Sequence, residues 1–408
     1  MGCCIFAGSC WYDGKRRNVM KHILLLSQFF YPDKTGTGRV MGALFSALSQ
    51  RGFAVDVVAS RQEYGDMAGR ILPIFEQYGK VRVFRCFRWF CAQESGFGRI
   101  FNYVMVFFCT FWTCLHHRLT REKDIIVSVS NPPIMPLLGL LLRRRGQRFI
   151  YILHDLYPDI AIAMGVVGER HLFSRVMFAV NRYVFKNADQ VVVLGRDMKA
   201  YLEKAYQVPE GKMVIIPNWA RDGIAYQAKP SGRIFRVLYT GNMGRFHDLK
   251  LAVEAFRTLP NAELIFVGEG ASKAEVMARA RGMQNVRFLP FLGETAYREM
   301  LITADAFLVS LEANLSGMAV PSKFYTYLAA GRPIIAISDM TTEMAMTIRE
   351  KEVGFVVPHG DVRAFLAAVE FLRENEEAAH EMGKRAHRLY LAQYCQTEIV
   401  RMYASLFA

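Results

Sequence analysis

Short apolar runs alternate with helix-forming stretches along the chain from residue 20 onward. The first run covers residues 21–26 and is typical of a buried parallel strand. A glycine-containing loop follows, then apolar positions at helical spacing over residues 39–50, then a second apolar run over residues 55–59. The order strand, glycine loop, helix, strand indicates the beginning of a doubly wound α/β sheet. Later runs predict further strands at residues 125–129, 149–153 and 190–194.

The alternation stops in a stretch rich in Pro, Gly and polar residues, and then starts again in the same order. A predicted strand at 235–240 precedes a glycine loop at 241–248, a helix at 249–258 and a strand at 263–267. The repetition predicts an α/β fold of two Rossmann-like, doubly wound parallel-sheet domains that face a central cleft. The predicted divisions are an N-terminal extension at 1–19, a first domain at 20–217, a linker at 218–233, a second domain at 234–392 and an amphipathic C-terminal helix at 393–408 that can cross back to the first domain.

Ligands of an open parallel sheet bind beyond the carboxyl ends of its strands, so the loops of both domains should border the shared cleft. In the second domain, the loop at 241–248 can direct backbone N–H groups at a phosphate. Its candidate phosphate-binding residues are Gly241, Asn242, Arg245 and His247, the last two as positive charges. The alternative for this loop is an ordinary strand-to-helix turn.

The beginning of a helix predicted at 324–330 is a second candidate phosphate site. Pro321 suits the first turn of a helix, and Gly331 suits its end. The free N–H groups there, together with Ser322 and Lys323, would stabilise a diphosphate through oriented dipoles and a cation. The alternative is a solvated lysine at the start of a helix.

Two further candidates follow predicted strands. The glycine-flanked Glu269 can accept hydrogen bonds from a nucleoside, or it can belong to an ordinary turn. His154 can bond a sugar hydroxyl or relay a proton, with Asp155 orienting it. The structural alternative is a histidine bonded to a backbone carbonyl, and the nearby Asp159 favours the catalytic interpretation.

The net charge of +14 is distributed unevenly. Residues 80–148 contain twelve Lys and Arg against three Asp and Glu, and aromatic residues are frequent in the same stretch. This combination predicts contact with an anionic membrane surface over a segment at about 84–119. Nucleic acid is disfavoured as a partner, because apolar rather than polar residues separate the cations. The alternative is a buried helix at 101–115.

The sequence offers no segment that would cross a membrane. No window has the ~18 uncharged apolar residues needed to span a bilayer, and the N-terminus lacks a secretory signal pattern. The eight cysteines fit no metal or redox spacing. These features predict a cytoplasmic protein without a metal site, held peripherally on the inner face of the cytoplasmic membrane.

Taken together, the motifs resemble the retaining glycosyltransferases of family 4, which have the GT-B fold. The resemblance covers residues 20–408 and points to the branch that builds bacterial surface polysaccharides, including fucosamine and colanic-acid-type transferases. The motifs that carry it are FFYP at 29–32 with Gly36 and Gly38, HDLYPD at 154–159, PN at 217–218, YTGNMG at 239–244, FVGEG at 266–270, VPSKFY at 320–325 and AAGRP at 329–333.

The resemblance implies transfer of a sugar from a nucleotide-sugar donor, with UDP favoured over GDP, retention of the anomeric configuration, and no metal or other cofactor. It also implies that Gly36 and Gly38 lie near the donor phosphate and the acceptor, that His154 touches the donor sugar, and that the amides of Ser322 and Lys323 meet the diphosphate. The basic, aromatic surface of the first domain fits a polyprenyl-diphosphate-linked acceptor, with an oligosaccharide as the other choice.

The sequence departs from the family pattern in two places. Asn242 and His247 stand where many members have Arg and Lys, and Met318 and Thr326 stand where many have two glutamates. The second of those glutamates binds the ribose, so this contact falls here to Glu269 or to the hydroxyl of Thr326.

Two other functions fit the same sequence. A nucleotide-sugar epimerase can share the two-domain architecture, but it would not need the aromatic, basic segment. A non-catalytic, membrane-associated partner of a polysaccharide assembly complex would account for Met318 and Thr326.

Overall fold

A computed structural model describes residues 20–33, 35–62, 71–87, 96–220, 223–224, 226–227 and 234–408. These residues form two α/β domains, each built around its own largely parallel sheet. Residues 1–19, the predicted N-terminal extension, lie outside the described residues.

The first domain contains an eight-stranded sheet. Along the chain its elements are β1 (His22–Leu26), α1 (Gly36–Gln50), β2 (Ala54–Ser60), β3 (Phe75–Tyr78), β4 (Val81–Phe87), α2 (Gly96–His116), β5 (Ile125–Val129), α3 (Met135–Leu142), β6 (Arg148–Ile152), α4 (Asp159–Ala163), α5 (Leu172–Asn187), β7 (Gln190–Val193), α6 (Arg196–Tyr206) and β8 (Met213–Ile215). The strand order is β3-β4-β2-β1-β5-β6-β7-β8, and every neighbouring pair is parallel except β3 with β4. The central strands are fully buried apolar runs, which is why the sequence alone predicts them.

The edge formed by β3 and β4 is absent from the sequence-based expectations, because charged residues interrupt its apolar positions. β4 lies beside β2, and its Phe84 and Arg85 are buried. The predicted membrane-contact segment at 84–119 therefore needs correction at its beginning, because residues 84–87 belong to this sheet. Residues 88–95 lie outside the described part of the chain.

The second domain contains a six-stranded sheet. Along the chain the remaining elements are β9 (Phe235–Thr240), α7 (Lys250–Phe256), β10 (Ala262–Val267), α8 (Lys273–Arg279), β11 (Val286–Leu289), α9 (Glu294–Thr303), β12 (Ala306–Ser310), α10 (Lys323–Ala330), β13 (Ile334–Ile337), α11 (Glu343–Lys351), β14 (Gly354–Val357), α12 (Val362–Glu374), α13 (Glu376–Leu389) and α14 (Gln396–Phe407). The strand order is β11-β10-β9-β12-β13-β14, with all neighbours parallel. Two doubly wound sheets of this kind confirm the predicted fold class.

The last helix, α14, packs on the first domain. The ring centroids of Phe407 and Phe45 are 6.2 Å apart, and the Leu406 carbonyl accepts a hydrogen bond of 2.9 Å from Arg148 Nη2. A π-helical turn at Tyr390–Tyr394 separates α14 from α13. The chain thus ends beside α1, on one face of the first sheet.

The opposite face of the first sheet is covered by α2, α3, α5 and α6. α2 contacts α3, and α3 contacts α5, so these three helices form a contiguous outer layer. None of the helices within the described residues combines the length and the apolarity that crossing a bilayer requires.

Candidate functional site

The carboxyl ends of the two sheets border a cleft of about 700 Å³ between the domains. Loops and helix starts of both domains supply its walls, as the carboxyl-edge rule predicts. The lining residues are Tyr31, Gly36, Arg39, Val40, Gly42, Ala43, Tyr78, Trp219, Ala220, Thr240, Gly241, Asn242, His247, Glu294, Tyr297, Arg298, Pro321, Ser322, Lys323 and Thr326.

Direct contacts hold the two walls together below the cleft. The Leu156 N–H donates to the Met318 carbonyl at 3.1 Å, and the Gly317 N–H donates to Asp197 Oδ2 at 3.2 Å. Gly317 has φ +78°, and a Cβ there would lie 2.6 Å from the Tyr201 Cβ, so the close approach of the domains requires glycine. Met318, at a family glutamate position, is buried and contributes its backbone to this contact.

The N-terminus of α10 forms the centre of the second-domain wall. Ser322 is exposed at the N-cap, and its side chain makes no capping hydrogen bond. An uncapped helix start carries partial positive charge and N–H groups that need an acceptor. One turn on, Thr326 is buried and also lines the cleft.

Lys323 extends from this helix start over the loop after β9. Its Nζ lies 3.7 Å from the ring centroid of Tyr239, donates to the hydroxyl of that tyrosine, and lies 3.5 Å from the Asn242 carbonyl. Within the described residues no carboxylate forms an ion pair with Lys323. Burial without such a partner lowers the pKa of its ammonium well below the usual value. An anionic ligand in the cleft would offset the cost of burying this ammonium, since it would supply the missing countercharge.

His247 positions Lys323 and does not contribute a charge of its own. Its Nδ1 lies 2.6 Å from the Ser310 carbonyl and must carry the proton there, which leaves Nε2 to accept from Lys323 Nζ at 3.4 Å. Burial, and then the neighbouring Lys323, lower the pKa of His247 to about 3. The expectation of a positive charge at this position is therefore wrong, because the imidazole is neutral at pH 7.

The loops after β9 and β10 are pressed against each other through glycines. Gly241 has φ +107° and lines the cleft, and a Cβ on Gly268 would lie 2.1 Å from the Gly241 carbonyl oxygen. The Met243 N–H donates to the Glu269 carbonyl at 2.7 Å, which ties the two loops together. These glycines therefore serve close backbone packing around the cleft.

Two second-domain residues predicted to bind the donor do not line the cleft. The Glu269 carboxylate is exposed and pairs with Lys273 Nζ at 2.7 Å, one helical turn away. Arg245 lies in the loop after β9 but is exposed and absent from the cleft lining. Asn242 is exposed and does line the cleft.

On the first-domain wall, the two predicted glycines differ in environment. A Cβ on Gly36 would meet no atom within 4 Å, and this residue lines the cleft. Gly38 donates its N–H to Thr35 Oγ1 at 3.1 Å, and a Cβ there would lie 2.9 Å from the Asp33 carbonyl oxygen. Gly38 therefore serves the capped start of α1, while Gly36 leaves room for a ligand.

His154 and Asp155 follow β6 and are not among the residues that line the cleft. Both backbone N–H groups donate to Ser130 Oγ, at 3.1 and 3.3 Å. His154 is buried, its Nε2 has no hydrogen-bond partner among the described residues, and burial lowers its pKa to about 4. Asp155 is exposed as a residue, yet desolvation of its carboxyl raises the pKa to about 6. Asp159, expected to support this pair, instead accepts hydrogen bonds from two tyrosine hydroxyls of α6.

Further aromatic and charged residues, to which the sequence analysis assigned no role, complete the cleft. The rings of Tyr31 and Tyr78 stack with centroids 4.4 Å apart on the first-domain wall. At the start of α9, the Glu294 carboxylate accepts from Arg298 Nε at 3.1 Å. Glu294 is the one carboxylate among the described lining residues, so it joins Thr326 as a candidate for the ribose contact. Of these residues, only Tyr31 belongs to a motif that the sequence analysis quoted, FFYP at 29–32, and the fold brings the others to the cleft.

A separate group, Asp248, Glu312 and His359, has potential ligand atoms within 4.8 Å of one another. His359 Nδ1 lies 3.3 Å from Asp248 Oδ2, and this contact lowers the pKa of Asp248 and raises that of His359. The group is not part of the cleft lining, and the expectation of a metal-independent protein stays a prediction.

Comparison with known families assigns both halves of the chain. Residues 35–219 match the glycosyl transferase 4-like domain, and residues 234–375 match the glycosyl transferases group 1 family. The chain belongs to the GT-B glycosyltransferases. This glycosyltransferase is 28% identical over 270 residues to the probable glycosyltransferase WbjE of Pseudomonas aeruginosa, covering 62% of this chain and 67% of that protein. It is 25% identical to the putative colanic acid biosynthesis glycosyl transferase WcaI of Escherichia coli K12, covering 79% of this chain and 84% of that protein.

Solved structures share the fold of this glycosyltransferase. Sucrose-phosphate synthase from Thermosynechococcus elongatus has a TM-score of 0.73 at 18% identity, covering 95% of this chain and 98% of that one. Alr3699/HepE of Anabaena, solved in complex with UDP, has a TM-score of 0.66 at 14% identity, covering 95% of this chain and 99% of that one.

Proposed function

We propose that this glycosyltransferase moves a sugar from a UDP-sugar, with retention of the anomeric configuration, to a polyprenyl-diphosphate-linked or oligosaccharide acceptor. The product would be part of a bacterial surface polysaccharide. The names of WbjE and WcaI support the enzyme class and the polysaccharide setting. The complexes of HepE with UDP and with UDP-glucose, on the same fold, support the choice of nucleotide. We expect no metal or other cofactor to take part.

The observation that carries the proposal is the unpaired, partly buried Lys323 beside the uncapped start of α10. A buried ammonium without a counterion is unfavourable, and a helix start with free amides is a ready anion site. A diphosphate satisfies both at once. As the bond from the anomeric carbon to the diphosphate breaks, the same groups stabilise the negative charge on the leaving nucleotide.

The first domain would supply the other half of the reaction. The acceptor hydroxyl oxygen bonds to the anomeric carbon on the face from which the diphosphate departs, which retains the configuration. Asp155 lies outside the cleft lining, so it would reach the acceptor only once the domains close further; ionised above its pKa of about 6, it would then accept the hydroxyl proton. The neutral His154, whose Nε2 has no hydrogen-bond partner among the described residues, would hold a hydroxyl of the donor sugar after the same closure.

The stacked Tyr31 and Tyr78 offer a flat apolar surface to an acceptor sugar, with Arg39 beside them for an acceptor phosphate. Delivery of a lipid-linked acceptor requires the enzyme to sit at the membrane. The exposed faces of Phe108 and Trp112 on α2, 59% and 69% exposed, support a peripheral position on the inner face of the cytoplasmic membrane.

A thermal-shift panel of nucleotide sugars tests the proposal, since a ligand that binds only the folded state raises the melting temperature. We expect UDP-sugars to stabilise the protein and GDP-sugars to leave it unchanged. Stabilisation by GDP-sugars alone would reject the UDP assignment. Incubation with the stabilising sugar and no acceptor should leave that sugar intact, and its full conversion to an isomer would instead show an epimerase.

A further inference from the structure

The outer layer of the first domain has an unusual chemistry over all three of its helices. α2, α3 and α5 contain no Asp or Glu. Each nevertheless exposes large apolar side chains, including Trp112 on α2, Leu141 on α3 and Leu172 on α5, which are 69%, 59% and 72% exposed. A helix face that simply meets water is normally polar, so this layer is suited to another environment.

α5 shows the pattern most clearly. Its apolar exposed residues recur at helical spacing, at Leu172, Val176 and Tyr183, while Met177 and Val184 face the core. The cations on the same outward face are Arg175, Arg182 and Lys186. Alternating apolar and cationic residues on one exposed face is typical of a helix that lies at an anionic lipid surface.

A groove of about 490 Å³ lies at the C-terminal end of α5, against the end of α6 and the beginning of β8. Arg182, Lys186 and Lys212 line it together with Phe185 and Tyr206, and its lining holds no carboxylate. Lys212 Nζ donates to the Lys186 carbonyl at 2.6 Å, which fixes its ammonium at the groove. The groove therefore combines three cations with aromatic walls.

Two carboxylates close in sequence to Lys212 and Lys186 are already paired with other cations. Glu210 accepts from Lys199 at 2.7 Å, and Asp189 lies 3.0 Å from Arg143. Within the described part of the chain, no ion pair involves Arg182 or Lys186. The positive charge of the groove is therefore available to an external anion.

We propose that this groove binds the phosphate of an anionic phospholipid, and that α5 rests on the bilayer together with α2. The proposal deepens the membrane position proposed above and depends on it. α3 joins the two helices, so one continuous face would meet the membrane. Contact with the bilayer through both α2 and α5, instead of through α2 alone, would fix the orientation of the cleft relative to the lipid surface.

Flotation of the full chain with lipid vesicles tests this inference. The vesicles are phosphatidylcholine with or without phosphatidylglycerol, and the test variant is Arg182→Gln/Lys186→Gln/Lys212→Gln. The matched control is Arg281→Gln/Arg349→Gln/Arg363→Gln, which removes the same charge from exposed sites of the second domain. We expect the groove variant to bind phosphatidylglycerol vesicles at least about tenfold more weakly than the control, because each basic residue near an anionic surface contributes to binding.

Equal binding of the groove and control variants would overturn the inference, and so would equal binding of the unaltered protein to the two kinds of vesicle. Free inorganic phosphate should not release the protein, and release at millimolar phosphate would show a site for soluble anions instead of lipid. Donor binding by thermal shift separates the two proposals. The groove variant should keep it, whereas failure of the unaltered protein to bind any nucleotide sugar would reject the proposed function alone.

Discussion

The two domains have the same architecture but differ in charge and in the distribution of exposed apolar residues. Residues 1–217 contain 29 Lys and Arg against 16 Asp and Glu, whereas residues 218–408 contain 22 against 21. Exposed large apolar residues collect on three adjoining helices of the first domain, but in the second domain they occur singly, as at Met277, Phe291 and Phe371. The same fold can therefore serve the two proposed roles, binding of the donor by the second domain and contact with the membrane and the acceptor by the first.

The largest expected effect concerns Lys323 of the second domain, which we propose binds the diphosphate of the donor. Lys323→Ala should lower kcat/KM at least ~100-fold, because the cation that meets the diphosphate is lost. Initial rates at varied UDP-sugar measure this effect. Lys250→Ala is the control, since it removes only an exposed ion pair with Glu275. Equal activity of the two variants would reject the assignment of Lys323.

Two glycines test the difference between the closely packed second-domain wall of the cleft and its more open first-domain wall. Gly268→Ala should destabilise the protein by about 2–4 kcal/mol, because the new Cβ would collide with the Gly241 carbonyl at a positive φ. Gly36→Ala should leave stability unchanged, since no atom lies within 4 Å, and yet reduce activity by narrowing the cleft. Urea unfolding and rate measurements check both. A fully stable Gly268→Ala protein would contradict the packing described for that wall.

Exposed apolar residues provide the next comparison. Phe108→Ser/Trp112→Ser in α2 should weaken binding to phosphatidylglycerol vesicles by about tenfold, because these rings insert into the interface. Phe371→Ser in α12 should not change binding, although it also removes an exposed ring. The two α2 substitutions should each alter stability by no more than ~0.5 kcal/mol, whereas Phe371→Ser also removes an edge contact with Phe355 and should cost about 0.5–1.5 kcal/mol. If the α12 variant loses as much binding as the α2 variant, the membrane face is not confined to the first domain.

The smallest effect concerns one buried neutral histidine in each domain. Burial holds the pKa of His154 at about 4 and of His247 at about 3, below the ordinary value of 6.5. At a pH between about 4 and 6.5, the unfolded chain binds more protons at these histidines than the folded chain does. The free energy of unfolding therefore decreases as the pH falls from about 6.5 toward 4. His154→Gln should melt with a weaker dependence on pH in this range. An NMR titration of His154 with a midpoint near 6.5 would show that the histidine is not buried in its neutral form.

The sequence predicts the buried parts of the fold well because their signal is local. β1, β5 and β9 are mostly apolar and mostly buried, as the strands of a sheet covered on both faces are. β3 and β4 escape prediction because an edge strand tolerates charges such as Glu76 and Arg82.

The site is predicted less completely, since side-chain partners depend on distant residues. The loop at 241–248 and the start of α10 do border the cleft, because the carboxyl-edge rule needs only the strand order. The charge of His247 could not be predicted, because its burial and its contact with Lys323 arise from folding. Tyr31 and Tyr78 become neighbours only through the pairings of β3 with β4, of β4 with β2 and of β2 with β1.

The return of α14 to the first domain has a mechanical consequence. The polypeptide passes between the domains twice, once after β8 and once at the π-helical turn Tyr390–Tyr394. Two separate crossings define an axis, and opening about that axis would leave α14, with its buried Tyr403 and Phe407, packed on the first domain. The same hinge line should therefore govern entry of the substrate and release of the product.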